Sequence, residues 1–257
     1  MGRLYTLFRW EMNDVVKAVL LLFGILLAGL AMKQSLMAVT SNVSMFFGLL
    51  DNSALYGPSK AVHVSNSIKL MLSLDDAWML VGFLILLLGA LTFRYDRDNG
   101  VARSIYSLPY SNTEIFGVKL LSLVIYGFTM VLLPFAYVAL TSYASIAGYL
   151  PDITSEFMGN ALVLVAFLVL YLIGVATLVS LSSPNAFLAF MMGFAVIYAP
   201  RVTDLRNVPP DLFVNAIGKS GTTGFTPFTT QYMGWGLLVP LLLLAASWII
   251  IRRRDVV

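Results

Sequence analysis

Asp96–Lys119 reads DRDNGVARSIYSLPYSNTEIFGVK and lies between two long apolar runs, Ala77–Phe93 and Leu120–Ala144. It carries six charged side chains, Asp96, Arg97, Asp98, Arg103, Glu114 and Lys119, in a chain where only 11% of residues are charged. Gly100 breaks the chain after the first three of them. Beyond it, Val101, Ile105 and Leu108 recur at i, i+4 and i+7, which predicts a short helix with one apolar face. Arg103, Ser104 and Ser107 fall on its other faces, and Pro109 stops it. Ser111-Asn112-Thr113-Glu114 then has the capping-box pattern. The serine side chain accepts from the backbone N–H of Glu114, and the glutamate reaches back. A new helix is therefore predicted through Ile115, Phe116 and Lys119 into the next apolar run.

The rest of the chain says what kind of solvent flanks this joint. Hydrophobic residues make up 59% of the sequence, and the mean hydropathy is +0.87. A soluble domain carries about 25% charged residues, because even a large core needs a charged shell. The composition is that of an all-α membrane protein. A crossing helix needs about 20 predominantly apolar residues. Such runs are Val15–Met32, Ala77–Phe93, Leu120–Ala144, Ala161–Val179, Ala186–Ala199 and Trp235–Ile251, six spans in one membrane domain covering 1–257. The third and sixth contain Pro134 and Pro240, which membrane helices tolerate. The fifth is short and is followed by Pro200 and Arg201, so it either tilts little or bends back. The first resembles a signal peptide in its basic flank, but its length and the five later spans favour an uncleaved helix.

Lysine and arginine set the orientation. Arg3, Arg9, Lys17, Arg94, Arg97, Arg103, Lys119, Arg252, Arg253 and Arg254 fall on one side. Lys33, Lys60, Lys69, Arg201, Arg206 and Lys219 are spread over longer loops on the other. Both termini are expected in the cytoplasm, with external loops at 33–76 and 201–234. Trp10 and Trp248 fall at the inner boundary and Trp78 and Trp235 at the outer one, as an aromatic belt requires. Within the first loop, MAVTSNVSMFFGLL is expected to form an interfacial helix or an extension of the first span. The second, rich in Gly, Pro and Thr, is expected to pack over the outer mouth.

Ionisable groups inside a membrane are costly and usually functional. None of the chain's acidic residues falls inside a predicted span, and Lys17, one turn into the first, is expected to snorkel back to the headgroups. A carrier coupled to protons or ions normally needs a buried carboxylate, so an energy source outside the membrane core is expected. Other motifs fail. Gly218-Lys219-Ser220 resembles the end of a phosphate-binding loop, but that pattern needs glycine where Phe213 stands. His63 has no second histidine to form a metal pair, and no G-x-S-x-G elbow exists for it to serve. No cysteine is present. No catalytic, cofactor or metal site is assigned and no nucleic-acid partner is expected. Asn42-Val43-Ser44 is a glycosylation sequon, read as ordinary loop. Gly24 and Ala28 form a small-xxx-small pair suited to close helix packing, including a dimer face.

Taken alone, the 96–119 stretch fits two roles, a connector lying on the lipid surface or a rigid contact that receives force from a cytoplasmic partner. The run GVARSIYSLPYSNTEIFGVK resembles the loop of type-2 ATP-binding-cassette (ABC) transporter permeases. There an acidic residue and glycine precede a leucine-rich turn, Leu-Pro-Val-Ser-Arg, an isoleucine and Gly-Lys. Asp98, Gly100, Leu108, Pro109, Ser111, Ile115 and Lys119 match, while Val101, Tyr110, Asn112 and Val118 depart. The likeness extends to the N-terminal piece, where Leu4, Leu7, Phe8 and Met12 share a face, to the six spans and to the basic C-terminus.

This resemblance implies an exporter permease in the cell membrane, working as a dimer, a homodimer in the simplest case, with two copies of a cytoplasmic ABC ATPase. The permease is then not itself an enzyme and holds no nucleotide or cofactor. Its coupling loop would comprise Asp98, Gly100, Val101, Arg103, Ile105, Leu108, Pro109, Ser111 and Glu114. The alternatives are a secondary carrier with an uncharged site and a non-transporting scaffold that anchors an ATPase.

Overall fold

In the computed structural model the described residues are 3–47, 69–95, 98, 110–142, 158–220 and 224–253. Among them every regular element is a helix. In chain order these are α1 (Arg3–Met12), α2 (Val15–Phe47) and α3 (Asp75–Ala90), which continues as a turn of π-helix over Leu91–Tyr95. Then come α4 (Asn112–Ser142), α5 (Gly159–Ser182), α6 (Ala186–Val202), α7 (Asp211–Lys219) and α8 (Thr230–Met233). A second π turn, Gly234–Leu238, leads into α9 (Val239–Arg253).

Five helical segments are long and apolar enough to cross a membrane: Val15–Met37, Asp75–Tyr95, Asn112–Ser142, Gly159–Ser182 and Thr230–Arg253. The chain is a multi-pass membrane protein. The fifth predicted span corresponds to Ala186–Val202, which has 17 residues and falls short of that length. Pro200 lies inside this helix rather than beyond it.

α5 is the centre. Leu164, Leu168, Leu172, Val169 and Ile173 are all at most 1% exposed, and α9, α6, α3 and α7 pack around the helix. Close approach depends on missing side chains at two positions. A Cβ on Gly89 of α3 would stand 2.8 Å from that of Ala176, and one on Gly236 would stand 2.3 Å from a ring carbon of Phe167. α2 packs on α4 and α3, and α1 lies along α4. The outer faces of α2 and α9 are exposed and apolar, with Val19, Leu22, Leu26 and Leu30 on one and Leu241 and Leu242 on the other. In a bilayer those faces lose nothing by meeting lipid tails.

In the 33–76 region α2 continues to Phe47, the extension of the first span that is one of the two expected forms, and α3 begins at Asp75. The sequon Asn42–Ser44 is therefore helical, while His63 and Lys60 lie outside the described residues. The 201–234 region likewise contains the end of α6, all of α7 and α8, and the first residue of the second π turn. α7 is strongly amphipathic and buries Leu212, Phe213, Val214, Ala216 and Ile217. Gly218 and Lys219 close this helix, whereas a phosphate loop precedes a helix N-terminus.

Trp78 does not join a lipid-facing belt: it is 5% exposed, and its indole N–H donates to the Leu72 carbonyl at 2.6 Å. Gly24 and Ala28 face inward. A Cβ on Gly24 would meet Met130 of α4 and Leu84 of α3, and Ala28 is fully buried, so this small-residue strip is used within the chain.

Candidate functional site

The connection between α3 and α4 is held at both ends by polar groups from other elements. On the α3 side, Arg94 lies in the π turn. Its Nε pairs with Asp98 Oδ1 at 2.8 Å, and its Nη2 donates to the carbonyl of Pro184, in the turn between α5 and α6. Asp98 Oδ2 accepts from the backbone N–H of Ala186 at 2.8 Å. That N–H is the first of α6, one of the donors a helix start leaves without an intrahelical partner. Asn185, the local N-cap, accepts from Leu188 at 2.8 Å. The start of α6 is thus capped twice, once from its own chain neighbour and once from the connection.

On the α4 side the capping box forms as its sequence demands. Glu114 N–H donates to Ser111 Oγ at 3.2 Å, and Ser111 N–H donates to Glu114 Oε2 at 2.7 Å. The serine hydroxyl adds a third bond to the same carboxylate oxygen at 2.9 Å. One turn on, Ile115 and Val118 bury against Leu7 of α1, with Phe8 and Tyr110 beside them.

Behind this apolar contact lies a buried ionic cluster. Lys119 Nζ donates to the Thr92 carbonyl in the π turn at 2.6 Å and stands 3.8 Å from Glu11 Oε2. A π turn lets the intrahelical ladder slip, which makes such a carbonyl available to a side chain. Glu11 Oε1 pairs with Lys17, which also reaches Asp14 Oδ2 at 3.4 Å. Glu11 and Lys17 are each 2% exposed and Lys119 6%. The expectation that Lys17 snorkels to the headgroups is therefore corrected. A compensating carboxylate is within reach, and a buried pair with further hydrogen bonds replaces hydration. The expectation that no carboxylate is buried is corrected as well. Glu11 lies outside the apolar runs but folds in with α1.

At the opposite end of the bundle, Arg201 at the end of α6 reaches Asp75 at the start of α3, at 2.7 Å, and Asp211 at the start of α7, at 3.5 Å. Tyr198 donates to the Met79 carbonyl at 2.6 Å. Burial pushes the Asp211 carboxyl above the usual range, Arg201 draws it down, and Asp75 pushes it up again. Arg206 is exposed and pairs with Asp204.

Of the predicted coupling residues, the structure places Asp98, Ser111 and Glu114. Gly100, Val101, Arg103, Ile105, Leu108 and Pro109 lie outside the described residues. Glu11, Arg94, Pro184 and Lys119 were not singled out as site residues. The available signal was Lys17 inside an apolar run, with Asp14 and Glu11 three and six residues before it. Among the described residues no cluster of three or more His, Asp or Glu suits a metal ion. No protein-family model, curated protein or solved structure matches this chain.

Proposed function

We propose that this chain is the permease subunit of an ABC exporter, with the 96–119 connection as the contact for a cytoplasmic ATPase. The observation that carries this reading is the double anchorage of the connection, through Arg94 and Asp98 to the α5–α6 turn and through Lys119 and Glu11 to α1. A loop resting on lipid needs no such ties. A segment that takes a load must be fixed to the helices it is to move.

In this reading Ala186–Val202 is the remaining span. At 1.5 Å per residue it is about 25 Å long, somewhat under the hydrocarbon thickness of about 30 Å, and Arg201 and Asp75 mark its outer limit. Arg9, Arg252 and Arg253 at the connection end suit a cytoplasmic side for both termini. The subunit works as a homodimer in the cell membrane with two ATPase copies. Its substrate is apolar, matching the exposed Phe83, Phe187, Met191, Met192 and Val196 of α3 and α6.

The test is co-purification of an ATPase from native membranes. Arg103→Glu combined with Ile105→Asp should abolish it while the permease keeps its melting behaviour. Unchanged capture together with unchanged ATP hydrolysis would overturn the contact. A secondary carrier gains one observation, the buried Glu11 carboxylate. Proteoliposomes without any ATPase that accumulate substrate on an ion gradient would favour that reading instead.

A further inference from the structure

We propose that α6, braced on α3, is a strut that carries displacement at Asp98, which caps its start, to α7 at the opposite end of the bundle. Asp98 and Arg201 are its two positioning residues. The inference goes beyond the ATP-driven reading and holds whatever moves the connection.

At the near end, the carboxylate of Asp98 caps α6 from outside. It accepts from Ala186 N–H at 2.8 Å while Arg94 grips both Asp98 and the Pro184 carbonyl. A negative group is favoured at a helix N-terminus by the aligned peptide dipoles. Because the cap belongs to the connection, movement of Asp98 acts on the axis of α6 rather than on a side chain.

The shaft is stiff. Along α6 the rings of Phe190, Phe194 and Tyr198 follow one another at centroid distances of 6.3 and 4.3 Å, and Phe83 of α3 meets Phe190 edge-on at 4.8 Å. Gly193 lets Leu86 of α3 lie directly on the helix backbone, since a Cβ there would stand 2.5 Å from it.

At the far end Tyr198 holds the Met79 carbonyl and Arg201 holds Asp75, so α6 is pinned to α3 there as well. The same guanidinium reaches Asp211, the first residue of α7. α7 buries five apolar residues and packs mainly on α5, with a smaller contact to α3. Displacement of the α3–α6 pair relative to α5 therefore pulls on α7 through Arg201.

The chain contains no cysteine, so a single introduced one is an unambiguous reporter. Ser220 follows α7 and is 4% exposed, and Ala161 is fully buried on α5 at the same end. Maleimide labelling of Ser220→Cys and Ala161→Cys is followed in nanodiscs, which expose both faces and contain no ATPase. The outcome is thus separate from that of the co-purification test.

Asp98→Ala should speed labelling of Ser220→Cys by about tenfold or more, the signature of local opening, and leave Ala161→Cys slow. Arg201→Met should do the same, and the two substitutions together should be no faster than Arg201→Met alone. Asp98→Asn, which keeps an oxygen for Ala186, should stay near the parent rate. Hydrogen exchange of the α7 amides in the cysteine-free chain gives the same reading without a reporter. An unchanged Ser220→Cys rate, equal acceleration at both reporters, or multiplied effects of the two substitutions would overturn the strut.

Discussion

Glu11 and Lys119 stand 3.8 Å apart inside the bundle, one on the short first helix and the other two turns into α4. Lys17 holds the other carboxylate oxygen. Removing one member of a buried pair is far more costly than the pair is worth, because the remaining charge stays buried. Glu11→Gln leaves two ammonium groups in this pocket and should destabilise the fold by about 3–5 kcal/mol. Denaturant titration in detergent micelles measures it. Adding Lys17→Met should recover part of the loss, and no recovery would show that the charges are not coupled.

The Ser111–Glu114 box predicts a smaller effect. Ser111→Ala should cost about 1 kcal/mol, as helix caps do. Glu114→Ala should cost a similar amount, and the double variant less than the sum, because both substitutions remove the same reciprocal bonds. Full additivity in the double-mutant cycle would place the two residues in separate interactions.

Asp211 gives a pH signature. Its carboxyl is pushed up chiefly by burial, so the folded chain holds this proton more tightly than the unfolded one. Its contribution to stability is therefore fully present below the unfolded value and declines as pH rises through the raised folded value. As pH rises above about 4, the ordinary carboxyl value, the wild type should lose ground relative to Asp211→Asn in thermal melts. The opposite slope would mean that the attraction of Arg201 outweighs burial.

Gly236 tests packing directly. A methyl group there collides with the Phe167 ring, which cannot move freely between α5 and the second π turn. Gly236→Ala should cost about 1–3 kcal/mol through overpacking, measured by thermal melting in detergent. Phe167→Leu should relieve much of that cost in the double variant. A neutral Gly236→Ala would show that the ring has room.

Much of this architecture is legible in the sequence because its signals are local. An apolar run of sufficient length, a capping box and an interrupting proline each act within a few residues. The helix starts at Ser111 and near Ala186, and the spans through Ala77–Phe93 and Ala161–Val179, follow from such signals. Glu11 did not stand out because, although its nearer partner Lys17 is only six residues away, its burial and its second partner Lys119 come from the tertiary fold. The role of Asp98 was legible as a charge at a helix end but not as the cap of a helix 88 residues away. Trp78 misled for a related reason: an indole at a span boundary has two satisfactory partners, the headgroup region and a buried carbonyl, and local spacing does not choose between them.

α5 has the highest mean hydropathy of the five spanning helices, 2.9, yet neighbouring protein covers most of it. Its finished surroundings did not require that greasiness, since a helix enclosed by others can afford polar contacts. Entry into the bilayer did: during synthesis α5 arrives before α6, α7 and α9 exist to cover it. Its composition records the solvent it meets first, and the bundle is completed around a helix chosen for a journey rather than for its destination.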